Sequence, residues 1–365
     1  MARRLTRRQL LRSLGGACLS NAALAQKVQP LLSTLPETSA LKLAAQHAGK
    51  TLGTFVVGYQ LKYQPTDAAI IAKTFSLIAT GNDLKFSKHL RPAPDVFDFG
   101  YSDLVVSWAE AHQMLFRGHC LVWWNALPDW FQSYVTPANA AKVMTDHIQK
   151  VVGHYAGRVY SWDVVNEAIY HDSPDGIRRK PWRNLVGDDY IELAFHTAAA
   201  ADPKAKLLIN ECYIEHATPD EKFRRDQYLR LITRLKQSRV PIHGVGVQGH
   251  LRGVASLDRP GLTSFAQQVR DMGLELLITE LDVDNVGVPP ADVDKVTASK
   301  YSEFIDILGP YVKVITLEAL EDYPAGSGAP DAIARANIFD VDYQPKQAFA
   351  SLTDALNRLP SRSHV

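Results

Sequence analysis

Leu276-Leu277-Ile278-Thr279-Glu280-Leu281-Asp282 reads as a strand that leaves an apolar interior and ends in acidic side chains. Trp162-Asp163-Val164-Val165-Asn166-Glu167 has the same form, a largely apolar run closed by a glutamate. Runs this rich in apolar residues are what strands carry when both faces of a parallel sheet are covered. Working outward, comparable β-rich runs occur at 54–58, 74–80, 115–123, 159–165, 206–210, 244–248, 275–280 and 312–317. Helical spacing marks 101–113, 138–155, 188–201, 220–238, 262–271 and 290–308, so strand and helix alternate. Eight such units predict an α/β fold of the (β/α)8 TIM-barrel type, with an open doubly wound sheet as the alternative. No Pro/Gly/Ser-rich linker, low-complexity block or solenoid period divides the chain, and residues 26–365 read as a single catalytic domain.

Charge is nearly balanced, 40 Lys and Arg against 39 Asp and Glu, which gives no general attraction to nucleic acid and suits a neutral ligand. Residues 1–25 read differently from the rest. Thr6-Arg7-Arg8-Gln9-Leu10-Leu11, a short weakly apolar stretch and Ala23-Leu24-Ala25 match a twin-arginine export signal cleaved near Ala25. That predicts a periplasmic or extracellular protein with no stable membrane association after cleavage, expected to be a monomer. A basic disordered leader is the alternative; an uncleaved anchor is disfavoured by Arg12 and by a stretch too short to span a bilayer. Cys18 lacks the preceding leucine that a lipoprotein site usually carries. Cys120 and Cys212 lie at the ends of different predicted strands and read as buried free thiols, consistent with export of an already folded chain.

Side chains at the carboxyl ends of barrel strands face the active site, and Glu167, Glu280, His119, His250 and Asn210 all map there. Taken singly, each is equally a loop-capping group. Together, two glutamates in unlike surroundings supply what glycoside hydrolysis needs, one protonated carboxyl for the leaving oxygen and one carboxylate for the anomeric carbon. Strand spacing puts Glu280 and Asp282 on one face, with His250, two residues beyond Gln248, placed to lie between them. There it would keep Glu280 ionised while Asp282 holds its tautomer; a histidine satisfied by loop backbone is the alternative. The Asn166 amide either grips a sugar hydroxyl or caps the next helix. Of the clustered Trp123, Trp124, Trp130, Trp162 and Trp182, Trp123 suits a sugar platform and Trp162 the core.

Gly244-Val-Gly246-Val-Gln-Gly249 satisfies a dinucleotide-binding pattern, but its glycines lie inside a strand and His250-Leu-Arg-Gly follows where a helix should open. With no P-loop, no H-E-x-x-H and no cysteine pair at zinc spacing, no metal or cofactor is expected.

From about Asn82 to Gln347 the chain resembles glycoside hydrolase family 10, the retaining endo-β-1,4-xylanases. The specific pieces, in the family's order, are Gly118-His-Cys-Leu-Val-Trp123, Trp162-Asp-Val-Val-Asn-Glu-Ala168, Gly244-Val-Gly-Val-Gln-Gly-His250 and Ile278-Thr-Glu-Leu-Asp282. The resemblance implies Glu167 as acid/base, Glu280 as nucleophile, and His119, Asn166, Gln248 and His250 beside the reacting sugar. It also implies that Asn82 and Lys85 hold the next sugar on the non-reducing side. Five positions depart from the pattern: Gly81 stands for a glutamate, Phe86 for a tryptophan, Trp124 for a histidine, Glu318 for a tryptophan and Glu211 for an aspartate. Glu318 is expected to raise the pKa of Glu167, and the altered cleft to favour a modified or different β-glycan. A non-catalytic carbohydrate-binding protein on a hydrolase scaffold, or a transglycosylase, are the competing readings.

Overall fold

The computed structural model describes residues 37–324 and 333–361; the export-signal reading falls outside them. Nine strands lie in the main sheet: β1 Thr51–Val56, β2 Leu77–Thr80, β3 Leu115–Gly118, β4 Ser161–Asn166, β5 Lys206–Glu211, β6 Gly244–Val247, β7 His250–Arg252, β8 Glu275–Asp284 and β9 Val312–Leu317. All pairings among them are parallel, β6 pairs β8, and β9 returns to β1, so eight strands close the predicted barrel. The short β7 was not foreseen. It pairs with the far end of β8, His250 opposite Asp282, and so extends the wall above the nucleophile candidate.

Helices cover the outside, and the clearest local signals set their ends. In Pro219–Gln237, Thr218 caps by accepting from the Glu221 N–H, a proline fills the first turn, and Asp220 and Glu221 begin a helix that ends with Arg234 and Lys236. The predicted strand from 74 begins only at Leu77, because Thr74 closes the helix Pro65–Thr74. The predicted strand through Trp123 stops at Gly118, although Leu121 and Val122 still donate to the Asp163 and Val164 carbonyls.

Inside the barrel, Leu77, Leu208, Leu277 and Val314 form one small apolar layer. Strand alternation puts Arg117, Asp163, Asn210, Thr279 and Thr316 on the same inward face, where all are sealed from solvent. Glycines make room on both faces of the barrel wall, Gly246 inside and Gly118 on the outer face. A Cβ on Gly118 would lie 2.1 Å from the Trp162 ring, and one on Gly246 would lie 2.1 Å from Asn210 Oδ1. The glycines of the rejected dinucleotide pattern thus include one that makes room for a buried amide.

Candidate active site

Glu280 leaves β8 into a nearly closed position, 7% exposed. Its Oε1 accepts from Asn210 Nδ2 at 2.7 Å, His250 Nε2 stands 3.5 Å from Oε2, and His119 Nδ1 stands 3.8 Å from Oε1. Each imidazole also meets a second carboxylate, His250 through its other nitrogen and His119 through the same one. His250 Nδ1 meets Asp282 at 2.8 Å; His119 Nδ1 meets Asp163 at 2.9 Å, and Asp163 is held by Arg117 at 2.6 Å in a fully buried ion pair. Burial by itself opposes the charge on all three central groups. For His250 it is outweighed by Asp282 and Glu280, and for His119 by Cys120, Glu280 and Asp163, so both rings are raised well above the ordinary imidazole value. For Glu280 burial is outweighed by His119, His250 and Lys85, and its carboxyl falls to about 2.

Glu167 follows β4 in a different manner. Its backbone is left-handed, φ 55°, and its N–H donates to the Asn210 carbonyl at 2.8 Å, turning the side chain into the barrel mouth. Trp124 Nε1 donates to Oε2 at 2.6 Å, and the amides of Asn166 and Gln248 each approach Oε1 at 3.4 Å. The two glutamates share one set of amides: Asn166 Oδ1 accepts from Asn210 Nδ2 at 2.9 Å and from Gln248 Nε2 at 3.2 Å, and that same Asn210 nitrogen reaches Glu280. Thr279 Oγ1 fixes the Asn210 amide from its other end at 2.7 Å. Behind Glu167, Glu211 is enclosed and pushed up to about 8 by burial and by Glu167 itself, while accepting from the Ile169 N–H at 2.8 Å.

Lys85 lies on the Glu280 side, 4.8 Å over the Trp123 ring and 3.2 Å from Asn82 Oδ1, so Asn82, Lys85 and Trp123 form one surface. Gly81 is half-buried, and a Cβ there would meet Val57 Cγ1 at 3.2 Å, so Val57 occupies the near side of the space it leaves. Phe86 corrects an expectation. It is 3% exposed, stacked 4.3 Å from His147 with the Arg91 guanidinium 4.9 Å away, and so belongs to an aromatic cluster beneath the cleft. Glu318 corrects another: its charged neighbours are Glu280, His250, Asp282 and His119, so it flanks the other glutamate from the one expected.

Arg178 escaped the sequence reading altogether. From the loop after β4 its Nε donates to the Glu167 carbonyl at 2.9 Å, and its guanidinium lies 4.6 Å over Trp124 and 4.5 Å over Tyr170. With Lys180, Tyr213 and Arg224 these residues line a cavity of about 370 Å³ on the Glu167 side. Arg117 and Asp163 also escaped, although charges inside otherwise apolar strands were a visible signal. Among the described residues two clusters have the composition of a metal centre, Glu215-His216-Glu221 and His250-Glu280-Glu318. In the first, Glu221 engages His216 Nδ1 and the Arg252 N–H donates to Nε2, so the ring is already satisfied. In the second, the Glu280 charge is matched by His250 and His119.

Comparison with known proteins places this geometry. The family described as Glycosyl hydrolase family 10 matches residues 40–355. Endo-1,4-beta-xylanase A of Caldicellulosiruptor sp. strain Rt8B.4 is 36% identical over 326 residues, 82% of this chain but 45% of that protein, so the chain spans less than half of it. Beta-1,4-xylanase of Dictyoglomus thermophilum is 33% identical over 307 residues, 77% of this chain and 82% of that one. The structure of xylanase 10B from Thermotoga petrophila RKU-1 in complex with xylobiose superposes with a TM-score of 0.79 at 28% identity, covering 88% and 98% of the two chains.

Proposed function

We infer, for a chain that belongs to glycosyl hydrolase family 10 and is a glycosidase of endo-1,4-β-xylanase-like type, that it cleaves β-1,4-xylan or a related β-glycan with retention of anomeric configuration. One observation carries the mechanism: two glutamates bridged by the same amides, one kept anionic by cations and the other held by neutral N–H donors. Glu280 attacks the anomeric carbon as the glycosidic bond breaks, and Glu167 gives its proton to the departing oxygen. Glu167, now a base, takes a proton from water, which attacks the same carbon and releases Glu280. Asn166, Gln248, His119 and His250 orient the reacting sugar; Asn82, Lys85 and Trp123 bind the next one on the non-reducing side. A carboxylate between two imidazolium rings fits a nucleophile that must be ionised in the free enzyme. The xylobiose complex of the Thermotoga petrophila relative supports an oligosaccharide substrate here. Trp124 and Glu318 favour a modified chain over plain xylan. The twin-arginine reading supports action outside the cytoplasm.

Proton NMR of xylooligosaccharide hydrolysis tests the mechanism. The new reducing end is expected first as the β-anomer; an α-anomer at the earliest times would overturn retention. A carbohydrate-binding protein would release no reducing sugar in wild type or Glu280→Ala, and a transglycosylase would give products longer than the substrate at high acceptor concentration.

A further inference from the structure

Glu318 is a third carboxyl beside the nucleophile candidate, and the mechanism above gives it no part. It follows β9, and its N–H donates to the Leu281 carbonyl of β8 at 3.2 Å, which sets it next to Glu280. One carboxylate oxygen of Glu318, one of Glu280 and a ring nitrogen of His250 lie within 4.8 Å of one another. Glu318 Oε2 is enclosed and, among the described residues, has no hydrogen-bond partner. Enclosed polar atoms are nearly always paired, and one left unpaired within a binding cleft is most simply completed by the ligand. The groups facing it are Glu280, Asp282 and His250 on the β8 and β7 side and His119 from β3; β1 carries no charged residue.

We propose that Glu318 is a specificity-determining residue for the glycosidase reading above, its carboxyl hydrogen-bonding a hydroxyl of the sugar that Glu280 attacks. Resting on that reading, the proposal requires the group to carry its proton while it works, since a second anion would otherwise face Glu280 across the sugar. The surroundings meet this requirement. Burial pushes the Glu318 carboxyl up to about 8, Glu280 and Asp282 adding to the effect and the two histidines opposing it. At neutral pH it is a donor as well as an acceptor.

The test uses a β-xyloside with an activated aryl leaving group, whose departure needs no proton from Glu167, so that the alkaline limb of kcat/KM is not set by the general acid. Wild type is expected to lose kcat/KM as pH rises through about 8, while Glu318→Gln, which keeps a neutral donor and acceptor, stays level to about pH 9.5. Glu318→Ala, with neither, is expected to lose about tenfold at pH 6, mostly through KM. Superimposable pH profiles for wild type and Glu318→Gln, with unchanged KM in Glu318→Ala, would overturn the role of Glu318 and leave the glycosidase reading intact. Failure of wild type to cleave either the aryl xyloside or xylooligosaccharides would remove both.

Discussion

Glu280 and Glu167 hang from one amide network, yet Glu280 is enclosed between two imidazoles, whereas Glu167 is half-buried against an indole N–H and two side-chain amides. The cationic side is laid down deep in the barrel: Arg117, Asp163 and His119 run along β3 and β4, and His250 and Asp282 along β7 and β8. The other side is assembled from loops, with Trp124 after β3 and Arg178 after β4 stacked on one another. Identical side chains therefore acquire different chemistry from what surrounds them. Charge kept in low dielectric needs rigid, paired partners, and strands provide them. In the proposed mechanism the proton is exchanged at the open mouth, where neutral donors hold Glu167.

The sharpest way to break this contrast is to remove each glutamate in turn. Glu280→Ala is expected to lower kcat on xylooligosaccharides by about four orders of magnitude or more, measured as reducing-sugar release, because no other group supplies the covalent step. Glu167→Ala should cost about 10² to 10⁴ on the same substrates but little in the first step on an activated aryl xyloside, since only the proton donor is lost. Equal losses on both substrates would place Glu167 outside acid catalysis.

The cationic brace comes next. His250→Gln removes one of the charges that hold Glu280 at about 2. Because the depressed value keeps activity present below the ordinary carboxylate range and lets it go only as pH falls toward 2, the variant's acid limb of kcat/KM should move upward. Together with misplacement of Glu280, a loss of about tenfold to a hundredfold near pH 6 is expected, the cost of one charge-assisted hydrogen bond. An unmoved acid limb would show that His119 and Lys85 set the charge without His250.

On the neutral side, Trp124→Phe deletes the 2.6 Å hydrogen bond to Glu167 and should reduce kcat about tenfold for oligosaccharides. A shift of the alkaline limb, absent with the activated substrate, would tie the effect to the acid. The smallest effect concerns Glu211. Its folded value near 8 lies above the ordinary 4.5, so the folded state holds a proton that the unfolded chain releases, and stability falls as pH rises from 4.5 through 8. Glu211→Gln is expected to flatten that slope and melt about 3 °C higher than wild type at pH 8, with little difference at pH 4. Parallel melting curves at both pH values would contradict a protonated Glu211.

The barrel, both glutamates and the placement of His250 by Asp282 were legible because each depends on strand period and position. A two-residue repeat fixes which side chains share a face, and the carboxyl end of a parallel strand fixes where they emerge. Glu318 was visible but assigned to the wrong glutamate, since its neighbour in the barrel wall depends on β8 lying between β9 and β6. Phe86 was assigned to the cleft by its place in a motif, whereas its environment is set by His147, which packs against it from the helix Ala140–His154, far along the chain. Arg178 gave no local sign at all, because only the folding back of a long loop brings it onto Trp124.

By itself, then, the order of residues along the chain determined which elements form, which face each side chain takes and which acids emerge at the rim. These are consequences of backbone geometry repeated over a few residues. Closure of the barrel and the path of its loops decided which carboxylate receives cations, which keeps neutral donors and which third acid stands beside the first. Electrostatic surroundings are contacts between residues tens to hundreds of positions apart, and no local repeat encodes them.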